Sequence, residues 1–229
     1  MCGRYASARS VQDLAEAFGI GRDDVANVAD PDWNIAPTKQ VSVVVDRSGR
    51  RVLDTMRWGL VPSWASDPSI GSRLINARLE TVHQKPAYRD ALAARRCLLP
   101  ADGWYEWAQQ PDGTRQPHYL TAPDGAVLAL AGLWESWYDA EGRLRLTTTI
   151  ITGPAPPDLR TIHDRAPVVV SREDWAAWLD VRTPAATVLV PTQSGVVRAH
   201  PVSPDVGDVR ANGPQLTEMV EVPEQTTLF

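Results

Sequence analysis

Residues 97–151 read CLLPADGWYEWAQQPDGTRQPHYLTAPDGAVLALAGLWESWYDAEGRLRLTTTII, and their rhythm decides the fold class. Strand-like runs at 97–99, 103–108, 117–121, 126–134 and 144–151 alternate with turns, PDG at 111–113, APDG at 122–125 and AEG at 140–142. Aromatic and β-branched side chains suit a pleated surface, and Pro, Asp and Gly punctuate it. Outward from this stretch the same pattern continues. Residues 41–46 (VSVVVD) and 51–57 (RVLDTMR) read as strands joined by a Ser48-Gly49 turn, with further strands at 168–170, 186–190 and 195–202. Helical signals are few. Ser10 and Asp13 form a capping-box pattern ahead of Val11, Leu14, Ala15 and Phe18, with Gly19 as the stop. Pro86 opens a short helix to about Arg95, and Ser171 caps one carrying Trp175, Trp178 and Leu179. The expectation is an α+β fold: a single β-rich domain, mainly antiparallel barrel-like sheets with a few short helices. It spans residues 1–204, with an irregular C-terminal tail over 205–229.

The chain of 229 residues is long enough for one substantial core and short for two. No apolar run approaches the ~20 residues that span a bilayer, and MCGRYASARS lacks a signal-peptide core. Two cysteines, Cys2 and Cys97, imply no disulfide framework and point to a reducing, cytoplasmic setting. Their spacing from the four histidines fits no metal site, so neither metal nor cofactor is expected. The net charge of −5 is unevenly spread: residues 33–100 hold eleven Lys/Arg against five Asp/Glu, a local excess of +6. A basic segment in an acidic chain suits a local phosphate-binding face, although charges pointing in all directions would give the same count. Most of the nine tryptophans are expected in the core, and some could stack on unpaired bases.

Cys2 follows the initiator Met directly. A small second residue permits removal of Met1, which would leave an α-amine of reference pKa ~7.7–8.0 beside a thiol of ~8.5. Both groups then have reactive fractions near neutral pH. The amine can condense with an aldehyde to a Schiff base, and the thiol can close a five-membered thiazolidine ring. On this datum alone Cys2 is equally a small residue at a chain start. Other polar residues sit in apolar surroundings: Asn34 and Pro37 in WNIAPTKQ, Asn76, Arg78 and Glu80 in LINARLET, Glu106 in DGWYEW, and His163 and Arg165 in TIHDRAPVVV. Glu106 between aromatics must reach solvent, find a partner or act as a tuned acid/base. His163 opens a loop-to-strand junction that could hold a proton donor or acceptor rigidly. A structural Glu–Arg pair and a histidine satisfying a backbone group explain them equally well one by one.

MCGRYA, NIAPTKQ, RWGLVPSW, INARLET, DGWYEW, IHDRAPVVV and HPVSPDV follow one another over nearly the whole chain. This ordered set resembles the SRAP family of SOS-response-associated peptidases, or abasic-site-processing proteins. The resemblance implies a groove for single-stranded DNA and a thiazolidine crosslink between the mature N-terminal cysteine and an abasic site. It assigns the crosslink to Cys2, orientation of the amine or opened sugar to Asn76, acid/base work to Glu106 and proton transfer to His163. It implies DNA contacts at Arg4, Arg78 and Arg165, a pocket-lining loop at Asn34 and Pro37, and packing on unstacked DNA by Pro62 and Trp64. Autopeptidase and weak lyase activities, a monomeric state and contact with the replication machinery are further implications. Ala166 and Gly207 stand where the family commonly has Met and Asn; neither touches the four residues assigned to chemistry. Three rivals remain: an N-terminal-nucleophile amidohydrolase using the Cys2 thiol, a non-covalent damaged-DNA-binding module, and a protein-interaction domain in which Cys2 is structural.

Overall fold

The computed structural model describes residues 2–221; Met1 and residues 222–229 lie outside it. In chain order the strands are β1 (Tyr5–Ser7), β2 (Asp32–Ile35), β3 (Gln40–Arg47), β4 (Arg50–Trp58), β5 (Asn76–Arg78) and β6 (Arg96–Ala101). They continue as β7 (Gly103–Gln109), β8 (Arg115–Thr121), β9 (Leu128–Tyr138), β10 (Leu144–Pro154), β11 (Arg165–Pro167) and β12 (Arg198–Pro201). The α-helices are α1 (Val11–Phe18), α2 (Arg89–Ala94) and α3 (Trp175–Leu179). The β-rich α+β expectation holds.

Five strands close a barrel. The order β10-β4-β3-β6-β9 returns on itself because β9 also pairs β10. All its pairings are antiparallel except β4 with β10. The β3–β4 hairpin turns on Ser48 (φ 56°) and Gly49 (φ 82°). Two positive φ values in a two-residue loop match the right-handed twist of the strands they join. A second sheet, ordered β12-β8-β7-β1-β2, packs against the barrel. Its contact includes Tyr5 and Trp104 with Val41, Val43, Val45, Trp58 and Leu99. The helices cover another side of the barrel. Phe18 of α1 stacks on Trp175 of α3 at 4.3 Å between ring centres, and the Trp178 indole donates to the Cys97 carbonyl at 2.8 Å.

Strand β10 outlasts the barrel. Its residues 144–150 pair β9 on one edge, and Thr147 and Thr148 pair β4 on the other. Beyond that β5 takes over from β4 at Ile150–Thr152, and β11 takes over from β9 at Thr152–Pro154. Two short strands, far apart in sequence, are thereby held on either side of one backbone.

The α1 cap is as expected: the Ser10 and Asp13 side chains cap each other's backbone, and Gly19 closes the helix at φ 64°. Other boundaries differ. The segment from Pro86 turns rather than winding, and α2 begins at Arg89. The strand expected at 168–170 lies at Arg165–Pro167, with Val169 making one isolated bridge to Leu130. Residues 186–190 are no strand: between Pro184 and Pro191, Ala185–Thr187 form a 3-10 turn. Proline removes the N–H that a ladder needs. From Pro204 the backbone forms only 3-10 turns, but Val206 and Leu216 are buried against Tyr105, Tyr119 and Val202. The part of the expected tail beyond residue 221 lies outside the described residues. No helix among the described residues is long and apolar enough to cross a membrane.

Gly132 of β9 sits where the barrel wall is tightest. A Cβ there would lie 2.2 Å from Leu99 Cδ1 and 2.9 Å from Cys97 Sγ. Gly132→Ala is expected to lower stability by about 1–3 kcal/mol in urea unfolding, with the slope unchanged. An unchanged midpoint would show that the wall can yield.

Candidate active site

Strand β1 lies between β2 and β7, and the chain's first residues run off its start. Tyr5 pairs Trp104, and Tyr105 N–H donates to the Arg4 carbonyl at 2.9 Å. From there the chain start runs close to Glu106, whose carboxylate acts on the Cys2 thiol. From the barrel side β5 delivers Asn76, whose Nδ2 donates to the Cys2 carbonyl at 2.7 Å. His163 stands in the loop that leads into β11, with Nε2 3.9 Å from Glu106 Oε2. The four residues assigned to chemistry from the sequence therefore converge, from four separate segments.

Burial sets their protonation. Glu106 is 3% exposed. Loss of water disfavours its charged form and pushes its pKa up to about 7. Cys2 is fully buried, and burial together with the nearby Glu106 charge raises its thiol far above the ordinary range. This corrects the expectation of a thiolate fraction near neutrality: the apolar surroundings hold the sulfur as S–H. Burial also lowers the His163 pKa. Its Nδ1 accepts the Arg165 N–H at 2.9 Å and lies 3.0 Å from Asp164 Oδ1. Those two neighbours demand opposite protonation of Nδ1. The rigid backbone donor outweighs a carboxylate on a side chain that is 85% exposed. The Arg165 N–H bond therefore favours the tautomer that carries its proton on Nε2, the nitrogen facing Glu106.

The residues expected to touch DNA divide into two groups. Arg78 is exposed and its side chain makes no hydrogen bond or ion pair among the described residues, and Trp64 is 60% exposed. Both are open to a partner. Pro37 is half-buried in the turn before β3. Arg4, Asn34 and Arg165 are instead committed within the protein. Arg4 donates to Asn34 Oδ1 at 2.7 Å and to the Val206 carbonyl at 2.8 Å. Asn34 is fully buried, and its Nδ2 donates to the carbonyls of Val206, Asp208 and Ala211 at 2.9–3.2 Å. No face of that amide remains for DNA, so its role is to pin the C-terminal segment. Arg165 makes a two-pronged ion pair with Glu80 and donates to the Thr152 carbonyl at 2.7 Å.

Glu80 stands in the LINARLET motif, and folding pairs it with Arg165. Two further residues beside the site, Trp58 and Tyr88, escaped the sequence reading. Trp58 donates from Nε1 to the Ile75 carbonyl at 2.9 Å, and Tyr88 donates from its hydroxyl to the Asn76 carbonyl at 3.1 Å. No spacing or motif signals such contacts, because both acceptors are backbone atoms.

Two stability measurements follow. Asn34→Ala leaves three carbonyls and a guanidinium short of a partner. It is expected to cost roughly 2–4 kcal/mol and to speed amide exchange over residues 204–217; unchanged exchange there would deny the pin. Glu106 has a folded pKa above its unfolded one, so its neutral form favours folding most below about pH 4.5. That contribution is lost as pH rises through about 7. Glu106→Gln should therefore stabilise the protein at pH 8 by on the order of 2 kcal/mol and hardly at pH 4. Equal melting shifts at both pH values would contradict the assigned burial effect.

The family model described as SOS response associated peptidase (SRAP) matches residues 1–209. The chain is 34% identical over 222 residues to the abasic site processing protein YoqW of Bacillus subtilis (strain 168), covering 95% of this chain and 99% of that one. It is 33% identical to YedK of Escherichia coli (strain K12), with 96% and 100% covered, and 31% identical to HMCES of Gallus gallus, with 97% and 79% covered. Both bear the same description, abasic site processing protein. A crystal structure of a Bacteroides thetaiotaomicron protein superposes with a TM-score of 0.84 at 20% identity, covering 96% of this chain and 100% of that one, which speaks for the fold. With the family's model matched over nearly the whole chain and the motif residues gathered at one site, the chain belongs to the SRAP family.

Proposed function

We propose that this chain processes abasic sites in single-stranded DNA by bonding Cys2 covalently to the ring-opened sugar. The observation that carries the reading is the grip of Asn76 on the Cys2 carbonyl, 2.7 Å, beside a carboxyl whose pKa is about 7. A first residue with its backbone clamped and a half-ionised acid alongside is arranged for amine chemistry.

Removal of Met1 frees the Cys2 α-amine, which adds to the C1′ aldehyde. The resulting carbinolamine loses its hydroxyl as water to give an imine. Glu106 takes the proton shed by the amine and returns it to the departing hydroxyl. His163 donates a hydrogen bond from Nε2 to the sugar oxygen as the ring opens and shares in the proton transfer. The Cys2 sulfur then adds to the imine carbon, and its proton passes to the nitrogen. The thiazolidine has formed with net loss of one water. Because burial keeps the thiol protonated, the amine acts first and sulfur closes the ring.

Ring closure consumes the imine that drives β-elimination, so lyase action is slow and appears when closure is blocked. Arg78 holds backbone phosphate, which makes encounter salt-dependent while the finished bond resists salt. An unpaired strand offers C1′ without the cost of breaking a base pair. Trp64 supplies a face for an unstacked base. The reaction shields the lesion within the DNA damage response. Action as a cytoplasmic monomer in contact with the replication machinery, and autopeptidase release of residues ahead of Cys2, complete the proposal.

The test mixes protein of confirmed mass, without Met1, with single-stranded DNA carrying one abasic site. A heat- and detergent-stable adduct is expected, weighing protein plus DNA less one water, with none from Cys2→Ala. Glu106→Gln should slow it roughly 100-fold, and the wild-type rate should rise with pH through about 7. Absence of any adduct from Met1-free protein would overturn the covalent reading.

A further inference from the structure

Asn76 is held from behind by a residue that the proposed reaction does not use. Strand β5 has three residues and pairs only with β10. Ile150 N–H donates to the Ile75 carbonyl at 3.1 Å, and Leu79 N–H donates to the Thr152 carbonyl at 2.9 Å. In a parallel ladder successive carbonyls point to opposite edges. The Asn76 carbonyl therefore faces away from β10, on the free edge of β5, where the Tyr88 hydroxyl caps it at 3.1 Å.

Among the described residues the Asn76 side chain has one anchor, its 2.7 Å bond to the Cys2 carbonyl. Its Oδ1 is buried and accepts no hydrogen bond among the described residues. The aim of the amide consequently depends on where its backbone is held. Tyr88 is suited to hold it. The residue is 7% exposed and packs in the core cluster that contains Ala77 and Leu92. Its own backbone is fixed at the start of α2, where the Leu92 N–H donates to the Tyr88 carbonyl at 2.8 Å. Burial pushes its phenol up to about 12, so the hydroxyl keeps its proton through the neutral range.

We propose that Tyr88 is a positioning residue for the chemistry at Cys2: by capping the Asn76 carbonyl, its hydroxyl aims the Asn76 amide at the Cys2 backbone. A line of contacts thus runs from α2 through Tyr88 and Asn76 to Cys2. The inference rests on the covalent reading above.

Tyr88→Phe removes the hydroxyl and keeps the ring. Adduct formation is followed for wild type, Tyr88→Phe, Asn76→Ala and the double variant, each freed of Met1, over a range of abasic single-stranded DNA concentrations. Tyr88→Phe is expected to lower the maximal rate about three- to tenfold, the worth of one hydrogen bond. The half-saturating DNA concentration should stay within about twofold, because the tyrosine touches no DNA in this account. In the Asn76→Ala background the same change should have no further effect. An unchanged rate in Tyr88→Phe, or a full further loss in the double variant, would overturn the proposal. If Met1-free wild type forms no adduct, the covalent reading falls, and NMR of the Asn76 side-chain amide decides the positioning role alone. Shifted resonances and faster exchange in Tyr88→Phe would uphold it; an unchanged amide would overturn it.

Discussion

Everything at the site hangs on the two edges of β10. A strand's backbone offers N–H and C=O groups alternately to either side, and burial obliges both rows to be paired. Within the barrel β9 meets that demand along Leu144–Ile150 on one edge, and β4 meets it at Thr147 and Thr148 on the other. Past Ile150 the barrel has ended, and β5 and β11 take their places. Asn76 belongs to the first of these strands, and His163 stands two residues before the start of the second. The two side chains are brought to one place because one backbone needed partners on both edges. The Glu80–Arg165 ion pair then ties the strands together across β10, with the Arg165 guanidinium also on the Thr152 carbonyl.

The second sheet supplies the other half. Strand β1 pairs β7, and the chain start that precedes it brings Cys2 near Glu106. Apolar packing around them has a chemical consequence. It raises Glu106 to about 7, keeps the Cys2 sulfur protonated and lowers His163. One physical cause, exclusion of water, thus holds a carboxyl near neutrality and the neighbouring thiol in its protonated form. Arg4 and Asn34 stabilise this half from beneath by joining β1 and β2 to the C-terminal segment.

Local sequence was most legible where a signal acts over a few residues. The Ser10–Asp13 cap, the Gly19 stop and the Ser48-Gly49 hairpin all formed as read, since each depends on neighbouring backbone alone. The strands β1, β2 and β5 are three or four residues long and went unread. Segments so short carry no periodicity, and they are strands only because a neighbour pairs with them. The run VLV at 188–190 misled for the converse reason: β-branched residues suit a strand, but no partner edge was available between two prolines.

By itself, then, the sequence determined the β-rich class, both ends of α1 and, through an ordered set of motifs, the family and its candidate residues. Cys2, Asn76, Glu106 and His163 could be named from it. Their meeting was a tertiary decision, because contacts between residues 74 and 57 positions apart are set by sheet register. So was the division between open and committed cations. Arg78 and Arg165 look alike in the chain, yet one faces solvent and the other grips Glu80. So too were the protonation states, since the pKa of a buried group is set by the water its neighbours exclude, and those neighbours are assembled only by the fold.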